Sequence, residues 1–327
     1  MSKTHKEWEK PLMDLEDGLL KLKEMARKEP DPTKKQQLEA KISEFEGRRD
    51  RYVEVMYANL GPWEKVLVAR ADRRPYTLDY VQSIFHNFVE LQGDRNGFTD
   101  HAIVGGPAML DGRPVMIVGH QKGRSIQERQ LRNFGYARPE GYRKAIRLFD
   151  IAERFRLPVI TFIDTPGADA GVEAESRGIS EAIAAAIFKM FELTVPSISI
   201  IIGEGGSGGA IGIAASNKVL MLEHSIYSVI APEGCASILW RQAERGADAA
   251  KALKLTAQCA KDFDLIDEII PEPKGGAHRD WPEASALVKS AILGSLQELD
   301  QSNPDAINNQ RYARFRRMGV FSNELLP

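Results

Sequence analysis

The segment Gly203-Glu204-Gly205-Gly206-Ser207-Gly208-Gly209-Ala210 carries the residue types best suited to chemistry. It follows an apolar, strand-like run and opens a short helix. The first N–H groups of a helix lack intrahelical partners and carry partial positive charge. With Ser207 as the N-cap, the amides of Gly208 and Gly209 are left free on the first turn. Glycine there lets a ligand approach the backbone closely. Such a pair suits a phosphate or a developing oxyanion. The ligand-free alternative is tight packing of strand on helix. The same letters fit two other patterns. Gly203, Gly205 and Gly208 spell GxGxxG, with Glu223 placed for a ribose hydroxyl, although the intervening helix is short for a dinucleotide fold. Gly205, Ser207 and Gly209 spell GxSxG, a nucleophile elbow that needs His224 or His278 as base; His224 follows too soon for the usual chain order. The first pattern predicts nicotinamide-cofactor binding, the second covalent labelling of Ser207.

A second turn, Asp164-Thr165-Pro166-Gly167-Ala168, ends another strand-like run. Pro166 fixes the turn and Gly167 permits unusual φ. Ligands of α/β folds gather at strand ends, so this turn is expected to line the same cleft, a plain turn being the alternative. Pro232-Glu233-Gly234-Cys235 offers a third wall. Cys235 and Cys259 read as small buried hydrophobes rather than nucleophiles. Between Lys122 and Arg147 lie Lys122, Arg124, Arg129, Arg132, Arg138, Arg143, Lys144 and Arg147, against only Glu128 and Glu140. This stretch is either a solvated face or a funnel for an anionic substrate. His120 is a candidate general base or a structural histidine.

These residues need elements to hold them. Ala102–Leu110 and Arg113–Gly119 flank Asp111-Gly112, a strong hairpin signal. Glu140–Arg156 reads as helix, Leu157–Ile163 as strand, Ile179–Leu193 as an Ala-rich helix, and Val195–Ile202 as strand. Lys218–Leu222 and Ile226–Ile230 read as strands, and the segment from Ala231 through Trp240 as helix. Pro282–Leu299 and Ile307–Arg317 complete the helical set. Strand, glycine loop and helix alternate, which predicts an α/β core. Ahead of it, 26 of the first 60 residues are charged. Leu12, Leu15, Leu19 and Leu22 share one helix face, as do Leu38, Ile42, Phe45, Tyr52 and Met56, with Pro30-Asp31-Pro32 between them. The pattern predicts a helical hairpin that covers its own domain or a subunit contact. Expected boundaries are 1–60 for the hairpin, 61–300 for the α/β domain and 301–327 for a helical tail.

The chain has 327 residues, a net charge of −2 and two cysteines. A near-neutral balance argues against a nucleic-acid binder. No apolar run reaches the roughly 18 residues of a membrane helix, and no secretory signal is visible in the first 20 residues. Two cysteines without CxxC give neither a disulfide framework nor a zinc site, so no metal and a reducing cytoplasm are expected.

Ordered blocks carry a resemblance: RRPYTLDYV at 73–81, AIVGG at 102–106, LDGRPVMIVGHQKGR at 110–124, RNFG at 132–135, PEGYRKAIRL at 139–148, FIDTPGA at 162–168, IGEGGSGGA at 202–210, YSVIAPEGCASILW at 227–240 and LIDEIIPEPKGGAHR at 265–279. In this set the sequence resembles the carboxyltransferase α subunit of bacterial acetyl-CoA carboxylase. The resemblance implies a crotonase-like spiral of ββα units, with the N-terminal hairpin and C-terminal helices added. It implies transfer of CO2 from carboxybiotin on a carrier protein to acetyl-CoA, giving malonyl-CoA for fatty acid biosynthesis. It further implies a zinc-ribbon β subunit holding acetyl-CoA, an α2β2 assembly, and ATP consumed by a separate biotin carboxylase. Gly208 and Gly209 match the family's pair of oxyanion donors. Gly205, Gly206, Ser207, Pro166, Gly167, Ala168, Lys122 and Arg124 are expected to line the substrate site. One departure stands out: where the family reads DTPGAYPG, this chain has Ala168-Asp169-Ala170-Gly171. That leaves open a specialised copy with altered acyl-CoA or inhibitor specificity. A non-catalytic subunit is the other alternative.

Overall fold

The computed structural model describes residues 5–319. The polypeptide opens with α1 (His5–Lys28) and α2 (Pro32–Ala58), the hairpin that the sequence predicts. Asp31 separates them: its carboxylate accepts from the amides of Thr33 and Lys34, which starts α2. Leu12 and Leu19 are buried as expected, but α2 buries Val53 and Tyr57, while Tyr52 stays 41% exposed. A straight helix drifts by about 20° per heptad, so a stripe begun at Leu38 has rotated by its far end. There Val53 and Tyr57 meet Leu12 and Val68.

The chain continues through α3 (Pro62–Ala69), α4 (Thr77–Ile84), β1 (Ile103–Leu110), β2 (Arg113–His120), α5 (Ile126–Leu131) and α6 (Pro139–Phe155). Then come β3 (Val159–Thr165), α7 (Val172–Ser176), α8 (Ile179–Glu192), β4 (Ser197–Gly206), α9 (Ser207–Ile211), β5 (Lys218–Leu222) and β6 (Ile226–Ser228). Last are α10 (Pro232–Trp240), α11 (Gly246–Leu253), α12 (Ala257–Asp262), β7 (Glu268–Ile270), α13 (Trp281–Leu299) and α14 (Pro304–Arg316).

The strands form one mixed sheet in the order β1-β2-β3-β4-β5-β7, with β6 paired to the far end of β4. Only β1 and β2 run antiparallel; β2–β3, β3–β4, β4–β5, β4–β6 and β5–β7 are parallel. The β1–β2 turn works as the sequence predicts: Asp111 and Gly112 take φ of 47° and 83°. Both faces of the sheet are covered, so β3 and β4 are buried throughout and read as continuous apolar runs. Met116, Val118, Val159 and Ile163 pack with α6 and α8. Val115, Ile117, Ile160 and Phe162 pack on the opposite face, with Tyr80 of α4 and Val288 of α13.

α14 is tied into this core. Arg311 is fully buried, and its guanidinium donates to the carbonyls of Met190, Leu193 and Val195 and to Asn217 Oδ1. Those carbonyls belong to the end of α8 and the approach to β4, where a helix leaves acceptors unpaired.

Candidate functional site

Parallel pairing of β3 with β4 brings their ends side by side. The register shifts between Ile163 and Thr165, after which Thr165 faces Gly205. The shift turns the Asp164 carboxylate against Gly203, and Asp164 Oδ1 accepts from the Glu204 amide at 2.9 Å. A Cβ on Gly203 would collide with that carboxylate. The glycine loop and the 164–168 turn then seat backbone on backbone. A Cβ on Gly206 would run into the Pro166 carbonyl. One on Gly209 would lie 2.5 Å from the Gly167 carbonyl carbon and 2.6 Å from the Ala168 nitrogen. Gly208 is different: its Cβ would meet only Ile183, at an ordinary 3.6 Å. Around this seam Thr165 Oγ1 lies 2.7 Å from the carbonyl oxygens of both Gly135 and Gly167, and the Tyr142 hydroxyl donates to the Gly209 carbonyl at 3.2 Å. Gly205, Gly206, Ser207, Gly208, Gly209, Pro166, Gly167 and Ala168 are thus brought together at one seam, of which Ser207 and Gly208 line one cavity and Pro166 another.

Ser207 is not the N-cap. Gly206 occupies that position with φ −99° and ψ 121°, and no side chain caps α9. Ser207 instead takes φ of 51°, a left-handed conformation that costs a non-glycine residue about 1–2 kcal/mol. The turn from strand to helix is so tight that one residue must adopt it. The helix-start amides still lead α9, without a side-chain oxygen in front of them.

The seam separates two cavities, where the sequence suggests a single cleft. The larger, about 550 Å³, is lined by Ser207 and Gly208 together with Ile187, Phe191, Ile211 and Tyr227. The smaller, about 180 Å³, is polar and is lined by Lys122, Pro166, Glu204, Arg70, Tyr76 and Phe134. Phe134 sits in a run of three left-handed residues, with φ of 45°, 54° and 85° at Asn133, Phe134 and Gly135. Asn133 Nδ2 holds this run by donating to Asp169 Oδ2 at 3.0 Å and to the Tyr136 carbonyl at 2.9 Å. Asp169 also accepts from the Gly171 amide and pairs with Arg138. Its carboxylate is therefore occupied in bracing the turn, and it lines neither cavity.

The polar cavity rests on a chain of alternating charges. Lys122 Nζ lies 2.7 Å from Asp164 and 2.9 Å from Glu204. Glu204 also pairs with Arg70 at 2.7 Å, and Arg70 with Glu233 at 2.6 Å. Burial alone depresses an ammonium and raises a carboxyl, but the partners overrule it. Lys122 is held above the ordinary lysine range, chiefly by Asp164 and Glu204 against burial. Glu204, which burial would raise, is brought down to about 2 by Lys122 and Arg70.

The cationic stretch, which the sequence leaves as a solvated face or a funnel, is largely paired, with Lys122 and Arg129 lining the smaller cavity. Lys122 is doubly paired. Arg124 pairs with Asp79 and stacks over Tyr76 and Trp281, so it lines neither cavity. Arg129 pairs with Asp72, Arg138 with Asp169 and Arg143 with Glu181, while Arg132, Lys144 and Arg147 donate to backbone carbonyls. These cations lie on helices and loops around the sheet, and each is engaged with a carboxylate or a carbonyl of a neighbouring segment. His120 is fully buried, and its ring nitrogens make no well-aligned hydrogen bond among the described residues, with the Gly209 and Phe162 backbone close to them. Burial, aided by Lys122, lowers its pKa to about 3, so it stays neutral and beyond the reach of solvent. Neither histidine of the elbow reading serves Ser207. His224 Nδ1 lies 2.7 Å from Lys65, and His278 faces Tyr57 and Glu9. Glu223 Oε2 accepts from the Glu272 amide, and Glu223 lines neither of these two cavities. Cys235 is buried and Cys259 half-buried, both as free thiols.

Sequence reading missed Arg70, Glu204 and Glu233 as a group. The signal was present: Asp164 and Glu204 are carboxylates inside otherwise apolar strands, which demand a buried cation.

Comparison with known proteins gives a consistent answer. Residues 5–319 match the family model described as acetyl co-enzyme A carboxylase carboxyltransferase-like. The chain is 51% identical to an acetyl-coenzyme A carboxylase carboxyl transferase subunit alpha from Geobacter metallireducens, over 97% of this chain and 98% of that one. It is 50% identical to the subunit of the same name from Thermus thermophilus, with the same coverage. Among solved structures, transcarboxylase 12S superposes with a TM-score of 0.59 at 18% identity, covering 73% of this chain and 44% of that one. A Pseudomonas malonate decarboxylase hetero-dimer gives 0.56 at 18%, covering 73% and 96%. At such identities these two show a shared fold, the crotonase-like α/β architecture expected from the sequence.

Proposed function

Since this chain belongs to the family of acetyl-CoA carboxylase carboxyltransferase α subunits, we propose that it transfers CO2 from biotin to acetyl-CoA through the amides of its glycine loop. The product is malonyl-CoA, and the enzyme class is a biotin-dependent transferase. The observation that carries the site assignment is the backbone seam: Gly206 and Gly209 pressed on Pro166–Ala168, with Gly208 facing the larger cavity.

Carboxybiotin supplies the CO2 and a ring nitrogen that takes up the methyl proton. This chain's own residues have a narrower task. Negative charge develops on the ureido oxygen as CO2 departs, and fixed N–H donors stabilise it without reorganising. The amides of Gly208 and Gly209 fit that role, because Gly208 carries no side chain toward the cavity and Gly209 is locked against the neighbouring turn. Apolar side chains such as Phe191 and Ile187 exclude water, which strengthens each hydrogen bond. The donor set is neutral, which suits a urea better than a phosphate. Lys122, engaged with Asp164 and Glu204, acts by holding the two loops in register. We assign the acetyl-CoA half of the site to a zinc-ribbon β subunit in an α2β2 assembly. Delivery of biotin belongs to a separate carrier protein, and ATP consumption to a biotin carboxylase. Among the described residues no helix is long and apolar enough to cross a membrane. We assign the place of action to the cytoplasm, where thiols such as Cys235 and Cys259 stay reduced.

The test is malonyl-CoA formation from acetyl-CoA and carboxybiotinylated carrier, with and without the cognate β subunit. Turnover only with both chains supports the assignment. Stable assembly without turnover on any acyl-CoA would overturn it in favour of a non-catalytic subunit. Turnover on a different acyl-CoA alone would identify a specialised copy.

A further inference from the structure

Far from the glycine loop in sequence, His5 and Glu9 sit one turn apart on α1, and His278 meets them from the segment before α13. One ligand atom from each residue lies within 4.8 Å of the other two. His5 Nε2 is 3.5 Å from Glu9 Oε2, and His278 Nε2 is 3.5 Å from Glu9 Oε1. A tetrahedral ion with bonds of about 2.0–2.1 Å separates its ligands by roughly 3.3–3.4 Å; the two 3.5 Å pairs are near that spacing, and the group, spread within 4.8 Å, would draw together on binding. Glu9 and His278 are buried, and His5 Nε2 has no hydrogen-bond partner. Two imidazoles held edge to face, with ring centroids 5.1 Å apart, converge on the same carboxylate.

On the carboxylate side the surroundings have the form of an outer shell, while His278 Nδ1 has no partner among the described residues and the Tyr57 hydroxyl lies 3.4 Å from His278 Nε2. Glu9 Oε1 accepts from the Tyr57 hydroxyl at 2.8 Å and from Arg279 at 3.1 and 2.7 Å. These bonds fix the carboxylate and leave Oε2 turned to His5. Such partners orient metal ligands in protein sites. Arg279 is itself answered by Glu16 at 2.6 Å, so Glu9, Glu16 and Arg279 together carry one net negative charge. His5 is partly exposed, which gives an ion a way in and a place for a water ligand.

We propose that His5, Glu9 and His278 form a binding site for a divalent transition-metal ion, with Zn2+ the best match. Two imidazoles and one carboxylate suit Zn2+, whereas Ca2+ and Mg2+ ask for oxygen ligands. The ion would staple α1 to the core and takes no part in carboxyl transfer. No local motif announces the site, because its ligands come from opposite ends of the chain.

The full-length chain, purified without the β subunit and stripped with chelator, is titrated with Zn2+ and separately with Co2+. Expected are one bound equivalent, the visible bands of tetrahedral Co2+, and a thermal midpoint that rises to saturation with Zn2+. His5→Ala, at the partly exposed start of α1, leaves the metal-free midpoint nearly unchanged and weakens binding at least about tenfold. His278→Asn abolishes the Co2+ bands. A folded wild-type chain that retains no metal at saturating Zn2+ overturns the proposal. So does binding that is undiminished in both variants.

Discussion

At the scale of single residues, the glycine loop separates what is strained from what is merely small. Ser207 holds a left-handed φ that glycine adopts freely. Ser207→Gly should therefore leave carboxyl transfer intact and raise stability by up to about 1 kcal/mol, read by chemical denaturation. Loss of turnover in that variant would show that the hydroxyl has a chemical task. Gly208→Ala meets only Ile183 at 3.6 Å, so the thermal midpoint should hold. Gly208 lines the larger cavity, so an added methyl group should crowd an oxygen bound at its amide, and transfer should fall about 100-fold, the scale of a lost oxyanion donor. Gly209→Val, by contrast, forces its side chain into the Gly167–Ala168 peptide and should cost folding stability as well as turnover. Lys122→Met leaves Asp164 and Glu204 buried without their shared cation. A loss of about 3–5 kcal/mol in unfolding free energy is expected, where a simple substrate contact would alter KM alone. The loop glycines were legible because so dense a run is entropically costly unless backbone must be approached closely there. The role of Lys122 was not, since its two partners lie 42 and 82 residues further along the chain.

Elements were legible where periodicity was strong. The hydrophobic runs of β3 and β4, the hairpin at Asp111-Gly112 and the Ala-rich α8 stand out in the order of side chains alone. Short elements without a clear stripe, such as α7, α12 and β7, do not, because so few residues hold too little pattern to separate helix from turn. The hairpin gives a test at this scale. Gly112 keeps φ at 83° with open space where a Cβ would stand, so Gly112→Ala adds backbone strain and nothing else. It should cost about 1 kcal/mol in stability, with activity retained at permissive temperature. The extent of β4 was underestimated by sequence: the strand runs on to Gly206 because β6 pairs with its final residues. That extension carries the glycine loop to the end of the sheet instead of leaving it as a free connector.

For the whole molecule, charge burial sets the response to acid. Glu204 and Glu272 would each be raised by burial, but Lys122 with Arg70, and Arg74, respectively, hold them near 2. Both start from 4.5, so the stability they contribute is complete above that value and is lost as pH falls from about 4.5 toward 2. Asp100 behaves oppositely: burial raises it to about 6, and the stability tied to its protonated form fades as pH rises through that value. Equilibrium unfolding followed from pH 7 to 3 should show a steep loss below 4.5. Replacing Glu204 with Gln should make that limb shallower at the expense of stability at neutral pH.

The order in which residues emerge from the ribosome adds a consequence to the burial of Arg311. Every strand of the sheet is synthesised before it, yet the carbonyls of Met190, Leu193 and Val195 wait for its guanidinium. The N-terminal hairpin waits as well, since Glu9 and Tyr57 find His278 and Arg279 only after β7 has appeared. A nascent chain halted before residue 278 would have translated the entire glycine loop but could close neither fastening. A partner that needs both fastenings should therefore bind chains translated past residue 311 and not shorter ones.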